Sequence, residues 1–184
     1  MSVVIEAAQS ALRQIFGVSF SQAHRLLRLQ CEALEGAGAA GLIPEWVVIR
    51  EALSEPFRLE IDALSPSAAL PVAAWLGHEV LLQLQCAGGG LRPWHGHVLA
   101  AEFRGADGGL ARYRLTVGPW LSLLGARRDS FVYQGLHALD ILTDLLRDHP
   151  QARVRVEVSQ RLSVRELCCQ YRESDQAFIE RLLA

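Results

Sequence analysis

The 184-residue sequence contains no lysine and no asparagine, so its eighteen basic residues are all arginine. Without lysine the chain cannot build a phosphate-binding P-loop, and Gly88-Gly89-Gly90 is interpreted as a hairpin turn. Eighteen basic residues against twenty acidic ones give a net charge of −2, which argues against a nucleic-acid partner. Apolar residues make up 51% of the chain and charged residues 21%, as in ordinary globular proteins, so extensive disorder is excluded.

Long hydrophobic runs are missing as well. No stretch has the roughly 18–20 uncharged apolar residues that a membrane-spanning helix needs. Residues 1–16 include apolar positions, but they lack a basic start and are interrupted by Glu6 and Arg13, which argues against a cleaved secretory signal. We therefore expect a protein that is cytoplasmic at synthesis and that is exported, if at all, without a signal peptide.

The four cysteines do not have the spacing of a disulfide framework: Cys31, Cys86, Cys168 and Cys169. In a strand, the adjacent Cys168 and Cys169 would point to opposite faces, which disfavours a bond between them. They also lack the C-x-x-C spacing of a redox pair, so packing as small apolar side chains is the preferred interpretation. This cysteine usage indicates a reducing compartment.

Hydrophobic periodicity predicts a chain that is mainly β up to about residue 118 and mixed beyond it. A helical leader is predicted at residues 1–20. Further helices are predicted at residues 136–147 and after Ser174, with a short helical turn after Pro119. Predicted strands lie at residues 27–33, 46–50, 57–62, 80–86, 92–103, 111–117, 153–158 and 166–171. Short strands separated by glycine-rich turns favour a barrel or a sandwich.

The clearest alternation is in residues 111–117. Tyr113, Leu115 and Val117 are two residues apart and are predicted to be buried on one face. The side chains between them are predicted to be exposed or at an interface: Arg112, Arg114 and Thr116.

Three side-chain patterns could carry chemistry, and each has a simpler structural explanation. His95 and His97 could be half of a metal site, but two ligands do not complete a tetrahedral site. The charged runs at residues 127–129 and 172–175 could hold an acid–base pair, although such runs are usually solvated. Core packing suits the four tryptophans better than base stacking: Trp46, Trp75, Trp94 and Trp120. No catalytic, cofactor-binding or metal-binding residue is therefore assigned, and the protein is predicted not to be an enzyme.

Several segments, taken in their order along the chain, resemble a known family. The most distinctive is Tyr171-Arg172-Glu173-Ser174-Asp175, within residues 169–183. The others are residues 50–61, 76–82, 92–97, 109–116, 119–124 and 128–131. From about Phe20 to the end of the chain, they closely resemble the N-terminal part of VgrG proteins, the type VI secretion spike family also called Rhs element Vgr proteins.

This resemblance implies an α+β fold, in which a mainly antiparallel, β-barrel-like phage tail hub domain precedes the start of a mixed α/β subdomain. The implied domains are a leader at residues 1–20, a hub barrel with short helices at residues 21–150, and the incomplete beginning of a second hub subdomain at residues 151–184. The implied function is a structural subunit of the spike. Such a hub is a homotrimer that sits on Hcp tube rings, carries a PAAR-tipped needle and transports effectors through the type VI machinery, without a cofactor, nucleic acid or a membrane span.

Members of that family continue well beyond this length, so we interpret the chain as a fragment or as a truncated gene product. The alternatives are a contractile phage tail or baseplate hub protein, a small ligand-binding or hydrolytic β-barrel domain, and a remnant without function. If neighbouring segments are missing, the predicted strand at residues 166–171 and the apolar face of the last helix should be uncovered, and the chain should be poorly soluble or associate non-specifically. That face consists of Phe178, Ile179, Leu182 and Leu183.

Overall fold

A computed structural model describes Gln22, residues 25–31 and residues 41–183. Their contacts divide the chain into two compact units, Met1–Pro119 and Trp120–Ala184, and each unit has its own apolar core. This division precedes residue 150, the predicted end of the barrel domain, because residues 120–146 share a core with the last helix. The predicted helical leader at residues 1–20 lies outside the described residues.

The first unit is a six-stranded antiparallel sheet with the strand order β1-β4-β5-β6-β3-β2. A 3₁₀ helix, Val72–Trp75, connects β3 to β4. The strands are β1 (Leu27–Cys31), β2 (Ile43–Ala52), β3 (Glu55–Ser65), β4 (Glu79–Gln85), β5 (Leu91–Asp107) and β6 (Leu110–Gly118). Three neighbouring pairs of the sheet are consecutive in the chain (β2–β3, β4–β5 and β5–β6), whereas β1–β4 and β3–β6 join strands that are distant in sequence.

Strand β6 follows the predicted alternation. Tyr113, Leu115 and Val117 have no exposed surface, whereas Arg112 is exposed and Arg114 is half-buried. A one-residue shift of register would have placed the arginines in the core, so the alternation fixes which face of the strand is buried.

The core of the first unit centres on two aromatic rings. Trp75 and Tyr113 meet edge to face, with 5.4 Å between ring centroids. The Tyr113 hydroxyl donates to the carbonyl oxygen of Ser67 at 2.9 Å and accepts from the backbone N–H of Leu70 at 3.2 Å. The buried phenol is therefore fully hydrogen-bonded and also fixes the segment after β3.

Side chains also join strands that are not neighbours in the ladder. Gln22 donates from Nε2 to the carbonyl oxygens of Leu29 and Leu42, each at 3.0 Å, and its Oε1 accepts from the Leu29 N–H at 2.5 Å. Leu29 belongs to β1 and Leu42 directly precedes β2, so this amide bridges the two end strands of the sheet. The predicted barrel-like fold is confirmed as a curled half-barrel.

A second side-chain bridge connects β2 with β5. The Glu51 carboxylate accepts from Arg92 at 2.6 Å and from Trp94 Nε1 at 3.0 Å. Trp94 is buried, as predicted, and so is Trp75, but Trp46 is 51% exposed and does not belong to the core. Because Trp46 lies opposite Asp62 in the ladder, it stands on the polar outer face of the sheet.

The second unit combines a two-stranded antiparallel sheet, here called the ribbon, with three helical segments. In chain order they are a 3₁₀ helix (Trp120–Ala126), β7 (Arg128–His137), α1 (Ala138–Leu146), β8 (Val164–Ser174) and α2 (Asp175–Leu183). The helical turn after Pro119 and both helices were predicted, whereas β7 was not. None of the helices in the described residues is long and apolar enough to cross a membrane.

The predicted strand at residues 153–158 is wrong. These residues form no ladder, and every one of them is exposed. Its valines keep about half of their surface accessible, with 54% for Val156. The alternation is that of a strand, but no neighbouring strand of the described chain pairs with it.

The last helix is covered, which corrects the expectation of a bare apolar face. Phe178, Ile179 and Leu182 are at most 5% exposed, and only Leu183 remains open at 56%. Likewise, the predicted strand at residues 166–171 is paired, as part of β8, with β7. The predicted cap of α2 is confirmed, because Ser174 Oγ accepts from the Ala177 N–H at 3.2 Å.

Candidate assembly surface

The ribbon has one face that the helices cover. The cross-strand pairs Tyr133–Cys168 and Phe131–Gln170 belong to this inner face. Tyr133, Cys168 and Gln170 are at most 6% exposed, whereas Phe131 keeps 51% of its surface exposed. Tyr133 stacks on Phe178 of α2, with 5.8 Å between ring centroids. Burial of the inner face therefore orients the opposite face of the ribbon away from the core.

The opposite face is exposed and carries an apolar cluster, beside the polar Ser130 and Gln134 that pair with Tyr171 and Leu167. Val132 of β7 lies opposite Cys169 of β8, with Leu167 and Tyr171 two residues away on either side. Val132 is 50% exposed, Leu167 64% and Tyr171 66%, and Cys169 is exposed as well. We call these four residues the outer ribbon face. Exposed apolar side chains that cluster in this way are typical of an interaction site, so these four residues are the candidate assembly surface.

A buried carboxylate holds the ribbon to α2. Asp175 is 1% exposed. Its Oδ1 accepts from Gln170 Nε2 at 2.8 Å, and its Oδ2 lies 3.0 Å from His149 Nε2 and 3.7 Å from Arg127 Nε. The Asp175 N–H also donates to the Arg127 carbonyl at 3.2 Å. One side chain thus joins the start of β7, the turn after α1, strand β8 and helix α2.

Arg127 links this buried carboxylate to two exposed ones. Its guanidinium donates to Asp148 at 2.7 Å and to Asp129 at 3.0 Å. Hydrogen bonding to Asp148, then to Asp129, raises the pKa of Arg127. The pKa of Asp129 is lowered by the Ser130 N–H and by Arg127. The charged run at residues 127–129 is solvated as predicted, but Asp175 of the run at residues 172–175 is not.

An arginine of α2 contacts the edge of β8 that does not pair with β7. Arg181 Nη2 donates to the Cys169 carbonyl at 2.9 Å and pairs with Glu173 at 2.5 Å. The hydrogen bond from Arg181 lowers the pKa of Glu173. A charged side chain placed on a strand edge in this way hinders the addition of another strand. Addition of a strand at this edge of β8 is therefore hindered.

The predicted histidine pair stands in the first unit. His97 is 5% exposed, with Nδ1 3.0 Å from the Gly77 carbonyl. His95 is exposed, with Nε2 3.4 Å from Glu79 Oε2. The two rings are 6.3 Å apart between centroids. Within the described ranges, no three His, Cys, Asp or Glu side chains are grouped as a metal site would require.

Paired charges cover the outer face of the first unit. Arg114 of β6 forms a bidentate pair with Asp62 of β3, with both N–O distances at 2.7 Å. The hydrogen bond from Arg114 lowers the pKa of Asp62, against a smaller opposing effect of burial. Arg112 pairs with Glu45 of β2 in the same manner. This face therefore presents neutralised charge, in contrast to the apolar outer ribbon face.

Sequence reasoning missed His149 and Gln170. His149 precedes Asp175 by 26 residues and Gln170 precedes it by 5, yet both contact its carboxylate. Neither residue belongs to a sequence pattern that suggests a site. The available signal was Asp175 itself, at the first position of a helix, where an acidic residue is explained by the helix dipole alone. Burial of that carboxylate could be recognised only from the structure.

Comparison with known proteins identifies the family and the relatives that this chain resembles. The profile of the phage tail baseplate hub (GPD) family matches residues 50–184. Two relatives from Pseudomonas aeruginosa are type VI secretion system spike proteins: VgrG1c is 32% identical over 177 residues, which is 91% of this chain and 23% of that protein. VgrG1b is 33% identical over 134 residues, 73% of this chain and 18% of that protein. The chain thus spans about a quarter or less of these relatives.

A solved structure agrees in fold and in sequence. The Escherichia coli c3393 protein is described as a component of the type VI secretion system with structural similarity to the T4 bacteriophage tail proteins gp27 and gp5. The two structures superpose with a TM-score of 0.70 and 26% identity, covering 85% of this chain and 42% of that one. With a hub-family match across most of its length and hub-like geometry in the described residues, the chain belongs to the phage tail baseplate hub (GPD) family.

Proposed function

We propose that the chain is a structural subunit of a type VI secretion spike and supplies part of its phage-tail-hub-like base. The observation that carries the proposal is the 32% identity to a spike protein along 91% of the chain. In this assignment the curled sheet of the first unit is the first hub barrel, and the second unit is the beginning of the next hub subdomain. Because the match covers only 23% of that spike protein, we assign the needle to a part of the spike other than the matched segment.

In this role the chain works as one copy of a homotrimer. The outer ribbon face supports this role, because it is apolar, uncharged and exposed in the single chain. We assign it to contacts with a second copy inside the trimer, where burial of such a face stabilises association. The paired charges on the outer surface of the first unit suit a face that stays in water.

The wider assembly follows from the same assignment. The trimer would rest on Hcp tube rings, carry a needle tipped by a PAAR protein and deliver effectors. The chain would be made in the cytoplasm and leave through the type VI machinery without a signal peptide.

A structural role requires no turnover. We therefore expect the purified chain to be inactive in a broad screen for hydrolase, transferase and redox activity. An activity that is lost in both His95→Ala and His97→Ala variants would contradict the structural assignment.

The proposed function is tested with a chimaera. The matching N-terminal segment of a full-length VgrG protein is replaced by this chain, and Hcp release into the medium is measured in cells that lack other spike proteins. We expect release and a trimeric mass of the purified chimaera. The control is the parent protein with its own segment reinserted at the same junction. A trimeric chimaera that releases no Hcp would overturn the proposed function.

A further inference from the structure

Residues 153–158 have the sequence of a strand, but no strand of the described residues pairs with them. Valines at positions 154, 156 and 158 alternate with Arg153, Arg155 and Glu157. We call this segment the strap. It connects the region after α1 to β8, and all six residues are exposed. β-branched residues at alternate positions favour an extended, paired backbone, so an unpaired strap leaves this preference unused.

The side chains of the strap already alternate as in a strand. Arg155 Nε lies 2.9 Å from Glu157 Oε1, so residues two apart are on the same side. Their side chains are 86% and 73% exposed. Val154 is 48% exposed, Val156 54% and Val158 48%. One side of the strap is therefore charged and the other apolar.

We propose that the strap pairs antiparallel with the strap of a second copy of this chain. When the pairing is centred on Val156, Arg155 of each copy lies opposite Glu157 of the other. Val154 lies opposite Val158 in the same register, and the two Val156 side chains face each other. The charges are complementary only because Arg and Glu stand at equal distances from the centre. Cross-strand pairs of opposite charge and of β-branched residues both stabilise an antiparallel ladder.

This contact goes beyond the proposed function. The register has a two-fold axis, so both copies contribute the same surface to the contact. Such a symmetric interface joins two copies and leaves no strap surface of this kind for a third. A three-fold hub contact uses other surfaces, such as the outer ribbon face. The strap contact therefore belongs to the chain outside the spike, and it joins free chains in pairs.

The experiment is a charge swap followed by sedimentation velocity at concentrations up to the millimolar range. Glu157→Arg places arginine opposite Arg155 at both symmetry-related positions, and we expect dimerisation about tenfold weaker or more. The double variant Arg155→Glu with Glu157→Arg restores complementarity and should restore the dimer. The control is Glu102→Arg, which breaks an exposed pair with Arg104 in the first unit and should leave dimerisation unchanged. Because these side chains are exposed, the variants should fold normally.

Amide hydrogen exchange locates the contact. We expect protection at residues 153–158 to rise with protein concentration in the native chain and in the double variant, but not in Glu157→Arg. A chain that stays monomeric at every concentration would overturn the proposal, as would a dimer that is insensitive to Glu157→Arg or not restored by the swap. A trimer without protection at the strap would overturn it too, while leaving the spike assignment intact. Failure of the chimaera to release Hcp would refute the spike assignment without bearing on the strap dimer.

Discussion

Among single residues, Asp175 combines an ionisable carboxylate with almost complete burial. Such a group is tolerated only when its oxygens are hydrogen-bonded and its charge is compensated. Gln170 and His149 contact the two oxygens, and Arg127 supplies positive charge 3.7 Å away. Because these partners come from three separate segments, the side chain specifies how those segments meet.

We therefore expect Asp175→Ala to destabilise the second unit by about 2–4 kcal/mol, since it removes the shorter of the two hydrogen bonds of the buried Gln170 amide and the contacts to His149 and Arg127. The matched control is Asp148→Ala, because Asp148 also bonds Arg127 but its side chain is 62% exposed. That variant should change stability little. Amide exchange of α2 in urea measures both. Equal losses in the two variants would show that burial of Asp175 is not the cause.

The pair between Asp62 and Arg114 predicts a pH dependence. Arg114 holds the pKa of Asp62 below its ordinary value in the folded chain. The pair therefore stabilises the fold above the unfolded pKa of about 4, and this stabilisation disappears as the pH falls through the lower, folded pKa. Asp62→Asn should lower the free energy of unfolding at pH 7, and the difference from the native chain should shrink as the pH falls below about 4.

Urea titrations of both proteins across this range provide the measurement. Asp107→Asn, at the exposed end of β5, is the control and should show no such trend. A difference between Asp62→Asn and the native chain that persists unchanged into acid would mean that the ionised pair contributes nothing.

Among the elements, β6 carries the centre of the larger core. Leu115 is fully buried between Ile61 of β3 and Ala101 of β5 in the register. We expect Leu115→Ala to cost about 2–5 kcal/mol through lost burial and a residual cavity. Thr116→Ala, on the opposite face, is the control, with a change of about 0.5 kcal/mol or less. Urea unfolding monitored by tryptophan fluorescence distinguishes them, and a loss for Leu115→Ala as small as that of the control would contradict the assignment of the buried face.

The end strands β1 and β2 depend on one side chain for their bridge. Gln22→Met keeps the approximate shape of the side chain but removes all three hydrogen bonds to Leu29 and Leu42. We expect a loss of about 1–3 kcal/mol and faster amide exchange in β1. The exposed Gln30 in the same strand offers the control Gln30→Met, which should leave exchange unchanged. Normal exchange in the Gln22→Met variant would mean that the curl does not require this bridge.

The elements also explain where sequence reasoning succeeded. Strand β6 was predictable because a strand with one buried face imposes strict alternation on its residues. Strand β7 was missed because Phe131, Val132 and Tyr133 follow one another without alternation, since the outer ribbon face is apolar as well. The strap shows the converse, because its alternation is complete while none of the described strands lies beside it. Periodicity reports what a segment prefers, but pairing depends on what lies beside it.

For the whole molecule, two separate cores predict two separate responses to mutation. The first core contains only residues up to Val117, and the second only residues from Trp120 onward. We therefore expect Leu115→Ala to accelerate amide exchange in β1–β6 while leaving β7, β8 and the helices unchanged, and Asp175→Ala to do the reverse. Exchange that accelerates throughout the chain in either variant would show that the units unfold together.

The candidate assembly surface could be predicted only in part at this scale. The Tyr171–Asp175 motif led to the right family, and its first residue does stand on the outer ribbon face. The predicted strand also placed Cys168 and Cys169 on opposite faces, as observed. The helices that cover the inner face of the ribbon come from before and after the strap in the chain. Their packing on one face, which leaves the other face open, is tertiary structure that no local sequence pattern encodes.

The closure of strand edges has a consequence for how copies of the chain can aggregate. Gln22 ties the end strands of the larger sheet together, and Arg181 occupies the backbone of β8. A sheet edge that is already bonded within one copy cannot act as a template for unlimited growth, which is the route to amyloid-like fibres. Copies that meet through the two-fold strap contact or through the outer ribbon face then form assemblies of limited size. We therefore expect high local concentration to give a finite particle instead of a polymer.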